Sequence, residues 1–168
     1  MNKPTVVITH HALSQKYHTV RDVDNWHRER WPGFVSRDGY HVGYHVVIEW
    51  DGTVTQTRQF DEEGAHTLGM NTSSIGVCFM GNFDNHMPSA AQIKAWKKLY
   101  KTIQILYPNL PTKPHRAYAA YKSCHGKLLA DNYFLELVKP NREELLSTIE
   151  KLKQIVSLLK TLLNKKQR

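Results

Sequence analysis

The stretch 45-HVVIEWDGTVTQTRQF-60 gives the clearest indication of the fold. Its first part is an apolar run, which is typical of a central strand, and its second part alternates apolar and polar residues, as in a strand with one wet face. Asp51-Gly52, which joins the two parts, is a dipeptide favoured in two-residue hairpin turns. The stretch therefore predicts a β-hairpin.

Further strands and helices alternate along the chain on either side of this hairpin. Residues 6–13, VVITHHAL, are predicted to form a strand that ends in histidines, and residues 74–83, SIGVCFMGNF, a buried strand. Apolar residues at helical spacing predict one helix at 20–30 and a longer one at 90–107. The apolar face of the longer helix comprises Ile93, Trp96, Leu99, Tyr100, Ile103 and Leu106. This alternation predicts an α/β or α+β layered fold.

The last thirty residues, 139–168, differ from the rest in charge and pattern. They carry eight basic and three acidic residues, which is most of the net charge of +8. Two interleaved heptad series predict one long amphipathic helix: Leu145, Leu152 and Leu159 in one, and Ile149, Val156 and Leu163 in the other. Three interpretations stay open, namely packing on its own domain, self-association as a coiled coil, and contact with an anionic membrane surface or wall polymer. No nucleic-acid partner is expected, because the charge is not accompanied by an interleaved aromatic and basic motif.

The composition is that of one globular domain with an appendage. The 168 residues include no apolar run long enough to cross a membrane. The N-terminal residues MNKPTVVITHH have too short an apolar segment for a signal peptide, so we expect synthesis in the cytoplasm without an export signal. Of the two cysteines, Cys78 lies in an apolar run and reads as a core residue, whereas Cys124 lies in a polar, basic loop that favours a thiolate.

Side chains able to bind a metal are concentrated in 115-HRAYAAYKSCHG-126. A catalytic zinc site needs three protein ligands and an open position for water, and imidazole and thiolate are suitable ligands. His115 and Cys124 could supply two of them, and the strand end at His10-His11 is the natural source of the third. Neighbouring strand residues face opposite sides, so only one of that pair should reach the metal, and periodicity alone does not choose between them. A scattered set of uninvolved histidines is the alternative.

Several motifs in order resemble the zinc-dependent N-acetylmuramoyl-L-alanine amidases, a group that includes phage amidase-type lysozymes and animal peptidoglycan recognition proteins. The motifs are THHALS, then GYHVVIEWDGTVTQTRQFDEEGAHTLGMNTSSIGVCFMGNF, then PHRAYAAYKSCHG. The resemblance covers residues 5 to about 138 and implies a mixed central β-sheet flanked by helices, with zinc at the floor of a groove. It makes residues 1–138 an amidase catalytic domain and leaves 139–168 as a basic amphipathic helical tail.

The resemblance also implies roles for individual residues. It implies zinc ligands at His10, His115 and Cys124. It implies that Tyr44 and Lys122 lie beside the metal and assist catalysis.

Two further residues, His66 in GAHT and Asn71 in GMN, are expected from the resemblance to lie in the groove and to contact substrate. For His66 the alternative is that it supports a metal ligand. His125 stands where the family often has proline. It could compete as a metal ligand, although its adjacency to Cys124 makes joint chelation awkward.

The implied reaction is hydrolysis of the amide between N-acetylmuramic acid and L-alanine in peptidoglycan, most simply by a phage endolysin that acts on the cell wall after release. A peptidoglycan-binding module without catalysis and a cytosolic amidase that recycles wall fragments are the alternatives.

Overall fold

The computed structural model of the protein describes residues 1–140 and 142–166. Within them, five strands form one sheet in the order β3-β2-β4-β1-β5. The strands are β1 Val6–His11, β2 Val46–Ile48, β3 Val54–Gln56, β4 Ser74–Phe79 and β5 Thr112–Pro114. The pair β2–β3 is antiparallel and the other neighbouring pairs are parallel, so the expected mixed sheet is confirmed.

The predicted hairpin joins β2 to β3. Val46 pairs with Gln56 and Ile48 with Val54, and Gly52 has a φ of +90°, which suits a residue without a Cβ. All three residues of β2 are buried, whereas β3 at the sheet edge is largely exposed. The second strand is shorter than predicted because the chain turns away after Gln56, where the buried Arg58 guanidinium donates to the carbonyl of Val42 at 2.7 Å.

The two predicted helices are present as α1 Val20–Arg30 and α2 Ala90–Leu106. Each begins with a capping box, Thr19 with Asp22 in α1 and Ser89 with Gln92 in α2, which satisfies backbone N–H groups of the first turn. In α2, Trp96 and Ile103 are fully buried, but Leu106 is 58% exposed. The prediction that Leu106 belongs to the buried face is therefore wrong, because the helix ends there beyond the edge of the core.

Three short elements of the first 140 residues were not predicted: a strand, the 3₁₀ turn His115–Ala117 and a helix. β5 pairs with β1 through Thr112, Lys113 and Pro114; Pro114 is tolerated because the strand lies at an edge of the sheet. A short helix, α3 Tyr133–Glu136, follows, and its Phe134 is buried and stacks on Phe79 at 4.3 Å between ring centroids.

The two faces of the sheet have different neighbours. One face packs side chains such as Phe79 against Trp96 of α2 in the main hydrophobic core. On the other face, His10, Cys78 and Val47 lie side by side in register across β1, β4 and β2. Register neighbours on parallel strands point to the same side of the sheet, so His10 lies in one row with the buried side chains of Cys78 and Val47.

The chain divides into two compact units, residues 1–138 and 139–168. The second unit contains the predicted long helix, α4 Arg142–Lys166. Its described apolar side chains are about half exposed, from Ile149 at 47% to Leu158 at 64%; the side chain of Leu163 lies outside the described residues. In the described part of the chain, no helix has the length and apolarity needed to span a bilayer. The assignment of separate roles to the two units stays a prediction.

Candidate functional site

Three of the predicted ligand residues meet on the His10 side of the sheet. The ligand atoms of His10, His115 and Cys124 all lie within 4.8 Å of one another. His10 ends β1, His115 follows β5 directly, and Cys124 lies on the loop that returns after it. The parallel pairing of β1 with β5 brings the two histidines together although more than a hundred residues separate them. Their ring centroids are 4.6 Å apart.

The structure shows which of the paired histidines, His10 or His11, faces the other two ligand residues. His10 is 1% exposed and its Nδ1 lies 3.6 Å from the Sγ of Cys124. His11 faces the opposite side of the sheet, where its Nδ1 accepts a hydrogen bond from the backbone N–H of Phe83 at 2.9 Å. His11 is thus outside the cluster of three ligand atoms.

The three donors fit a zinc ion. Tetrahedral coordination, with Zn–N of about 2.0 Å and Zn–S of about 2.3 Å, places a nitrogen and a sulfur ligand about 3.6 Å apart, which is the separation seen between His10 and Cys124. Burial lowers the pKa of His10 well below its ordinary value and also lowers that of His115, so both imidazoles are neutral and able to bind a metal.

The protonation of Cys124 differs from the sequence expectation. Burial raises the pKa of its thiol to about 12, although the backbone N–H of His11, 3.4 Å from Sγ, acts in the opposite direction. The prediction that a polar, basic loop favours the thiolate is therefore wrong for the protein alone, because the loop turns the cysteine inward. A bound cation would be needed to make the thiolate the stable form.

A second layer of side chains orients His10. Its Nε2 lies 3.1 Å from Nδ1 of His66 and 3.4 Å from Oγ1 of Thr67. These contacts are satisfied when His10 carries its proton on Nε2, which leaves the Nδ1 lone pair directed toward Cys124. His66 fits closely against the sheet, since a Cβ on Gly76 would lie 2.5 Å from its ring.

Asn71 supports the same loop. Its Oδ1 accepts hydrogen bonds from the backbone N–H groups of His66 and Thr67, at 2.9 and 2.8 Å. Asn71 also lines the groove. The expected substrate contact by Asn71 and His66 stays a prediction, and the geometry adds a role for both in holding His10.

The groove has a cavity volume of about 660 Å³, and Tyr44 and Lys122 line it together with the three donors. The Tyr44 ring centroid is 5.0 Å from that of His10. Burial raises the pKa of the Tyr44 hydroxyl well above its ordinary value, with a further contribution from Cys78 beneath it. Tyr44 is therefore protonated, with its hydroxyl hydrogen-bonded to the Cys78 thiol, while the exposed Lys122 ammonium supplies positive charge.

His125 does not compete for the metal. Its Nδ1 lies 2.6 Å from Oγ1 of Thr9 and its Nε2 3.2 Å from the carbonyl oxygen of Ala130, so both ring nitrogens are engaged away from the donors. His45 is likewise structural, because its Nδ1 accepts from the N–H of Gly76 at 3.0 Å and its Nε2 donates to the carbonyl of Glu62 at 3.0 Å.

Sequence reasoning assigned no role to Arg116, which organises the cysteine loop. Its guanidinium donates to the carbonyls of Ser123 at 3.2 Å, Gly126 at 2.8 Å and Leu129 at 2.5 Å, and pairs with Asp131. These bonds hold the backbone on both sides of Cys124. The sequence showed only that an arginine lies in this loop. It gave no indication that the guanidinium would bind backbone carbonyls.

The comparisons with known proteins agree with this architecture. A family model described as N-acetylmuramoyl-L-alanine amidase (Amidase_2) matches residues 1–127. An endolysin of Klebsiella phage KP32 is 34% identical over 112 residues, which cover 62% of this chain and 68% of the relative.

Among solved structures, the Ph2119 endolysin from the Thermus scotoductus bacteriophage Ph2119 has a TM-score of 0.67 at 20% identity, with 83% of this chain and 88% of that chain covered. The N-acetylmuramoyl-L-alanine amidase LysC from Clostridium intestinale has a TM-score of 0.65 at 23% identity, with coverage of 81% and 83%. At these identities the likeness shows the shared fold. Because the family model covers most of the chain, the protein belongs to the N-acetylmuramoyl-L-alanine amidase family and is an enzyme of that activity.

Proposed function

We propose that the protein is an endolysin that cleaves the amide between N-acetylmuramic acid and L-alanine in peptidoglycan, with Zn²⁺ held by His10, His115 and Cys124. The observation that carries this proposal is the convergence of the three ligand atoms within 4.8 Å at a groove that Tyr44 and Lys122 also line. Relatives described as endolysins, such as that of Klebsiella phage KP32, support the biological role.

Each catalytic side chain is given a task that its environment suits. Bound zinc would polarise the amide carbonyl and lower the pKa of a water molecule. The protonated Tyr44 hydroxyl would turn from Cys78 to donate a hydrogen bond to the oxygen on which negative charge develops, and Lys122 adds positive charge in the same groove. His66 and Thr67 keep the Nε2 proton of His10 in place.

The groove is the proposed binding site for peptidoglycan, and His66 and Asn71 are proposed to contact substrate as well as to support the ligand loop. Cleavage of the intact polymer after release from the cytoplasm distinguishes an endolysin from a recycling amidase. A recycling enzyme would cut small muropeptides and leave purified cell walls intact.

The test is digestion of purified peptidoglycan with and without a chelator, followed by mass spectrometry of the new ends. We expect free L-alanine amino termini that disappear on chelation and return with Zn²⁺. Cys124→Ala and His115→Ala should lose zinc, measured by elemental analysis, together with activity. His86→Ala, at a histidine that does not line the groove, should keep both. Full cleavage by zinc-free Cys124→Ala would contradict the proposed metal site.

For α4 we propose contacts of its own, through self-association or through an anionic membrane surface or wall polymer. Its half-exposed apolar stripe places Ile149 and Val156 at one heptad position and Leu152 and Leu159 at another, and Ile155 and Leu162 make it wider than a two-stranded coiled-coil seam. Sedimentation equilibrium of the full chain tests the first, and co-sedimentation with anionic vesicles or purified walls tests the second. A monomer that binds neither would contradict both.

A further inference from the structure

The end of α1 contributes a cation to the groove that the proposed chemistry leaves unused. Arg30 is the last residue of the helix, is exposed, and lines the groove beside Trp31. Its guanidinium carbon lies 4.7 Å from the centroid of the Trp31 ring. Within residues 1–140 and 142–166, no hydrogen bond or ion pair of this guanidinium is formed. The group is thus held against an aromatic ring with its five donors available.

The groove as a whole favours an anion. Arg30 and Lys122 both line it, and among its described lining residues there is no Asp or Glu. A cleft lined by charges of one sign concentrates ligands of the opposite sign. The lactyl amide that is cut is neutral, so the anionic part of the ligand must lie elsewhere on the substrate.

A continuous aromatic wall connects Arg30 with the metal donors. The ring centroids of His10 and Tyr44 are 5.0 Å apart, those of Tyr44 and His27 are 5.5 Å apart, and those of His27 and Trp31 are 5.1 Å apart. An extended peptide advances about 3.5 Å per residue. The second and third residues of a stem peptide whose L-alanine amide lies at the donors can therefore extend along this wall toward Arg30.

We infer that Arg30 forms a subsite for a carboxylate of the stem peptide, carried by one of the residues that follow L-alanine. The inference rests on the proposed function. Stem peptides carry a free carboxylate on the D-glutamate at the second position, and a diaminopimelate at the third position carries another. The planar fork of arginine suits a carboxylate, with which it forms two parallel hydrogen bonds. Arg30 would then select for stem peptides that keep this carboxylate unamidated.

The test compares three N-acetylmuramoyl tripeptides. The parent carries L-Ala-D-Glu-diaminopimelate, the second carries the α-amide at D-glutamate, and the third carries lysine in place of diaminopimelate. Steady-state kinetics give kcat and KM for the zinc-loaded protein, and calorimetry or NMR titration gives the affinity for the corresponding free tripeptides. The variants are Arg30→Gln, which removes the charge, and Arg30→Lys, which keeps it without the fork.

Arg30→Gln should weaken binding of the parent tripeptide and lower its kcat/KM by about fivefold to tenfold, mainly through KM. Arg30→Gln should have little effect on the analogue that already lacks the carboxylate bound by Arg30. The analogue that shows this small effect therefore identifies which stem-peptide residue Arg30 recognises. Arg30→Lys should lie between. Arg21→Gln, an exposed arginine of the same helix outside the groove, should stay within about twofold of the parent protein.

Equal losses by Arg30→Gln on all three ligands, or no loss on any, would overturn the inference. The two readouts also separate it from the proposed function. If the free tripeptides bind with the expected pattern but none of the three substrates is cut, the proposed cleavage fails and the subsite stands. If all three are cut and the pattern is missing, only the subsite fails.

Discussion

Replacing Arg116 by methionine should destabilise the protein and weaken zinc binding, although Arg116 touches no ligand atom. The substitution keeps the apolar stem and removes the donors. Three backbone carbonyls, of Ser123, Gly126 and Leu129, lose a charged partner. A hydrogen bond to a charged group contributes about 1.5–3 kcal/mol, but the side chain is 21% exposed and water can replace part of the loss. We therefore expect a loss of about 3 kcal/mol in the free energy of unfolding.

The ion pair with Asp131 should account for little of this loss. The Asp131 side chain is 70% exposed, and exposed ion pairs contribute about 0–1 kcal/mol. Asp131→Asn should therefore cost less than about 1 kcal/mol. Lys127→Met is the matched control, because it removes a cation from the same loop at a side chain that is 72% exposed. The Lys127 ammonium forms only a long ion pair with Asp84, at 3.8 Å. Lys127→Met should change the stability by less than about 0.5 kcal/mol.

Urea unfolding of the zinc-loaded and zinc-free proteins measures the stability, and competition with a chromophoric chelator measures the zinc affinity. Arg116→Met should bind zinc about tenfold more weakly, because the backbone that carries Cys124 is no longer fixed on both sides. An Asp131→Asn variant as unstable as Arg116→Met would refute the carbonyl clamp as the main contribution. Unchanged zinc affinity in a folded Arg116→Met protein would refute the link between the clamp and the ligand.

Three further outcomes follow from the geometry. Gly76→Ala should lower the free energy of unfolding by about 1–3 kcal/mol and reduce zinc affinity about tenfold, because the added Cβ would lie 2.5 Å from the His66 ring. Gly33→Ala is the control, since a Cβ there would meet no atom within 4 Å. Equal effects of the two substitutions would contradict the reasoning. Burial lowers the pKa of His45 to about 4, below the unfolded value of 6.5, so the unfolded state takes up the proton first. The contribution of neutral His45 to the free energy of unfolding is complete above about pH 6.5 and falls by about 2 kcal/mol by pH 5. In urea unfolding, His45→Gln should make the loss of stability between these pH values smaller. An unchanged dependence of stability on pH would contradict this assignment. Truncation after Val138 should leave kcat/KM on small muropeptides within about twofold, and a folded but inactive product would show that the tail belongs to the site.

The elements that could be predicted from the sequence are those whose signal is local. The hairpin at Asp51-Gly52 and helix α2 depend on turn chemistry and on apolar spacing within one segment, and both are confirmed. Strand β5 could not be predicted, because it pairs with the distant strand β1, while Pro114 within it and Pro111 just before it argue against a strand. The same distance hides the carbonyl partners of Arg116.

The candidate site shows the same limit in its chemistry. Residue types and family motifs indicated His10, His115 and Cys124, and the structure brings their ligand atoms together. Composition around Cys124 nevertheless predicted a thiolate, whereas burial raises the pKa of this thiol in the protein without a metal, because the charges of a loop do not report which of its side chains turns inward. The pKa of about 12 depends on burial against β1, and β1 is more than a hundred residues away in sequence. Because zinc can bind Cys124 only after the thiol has lost its proton, zinc affinity should fall as the pH drops, and chelator competition at several pH values measures this dependence.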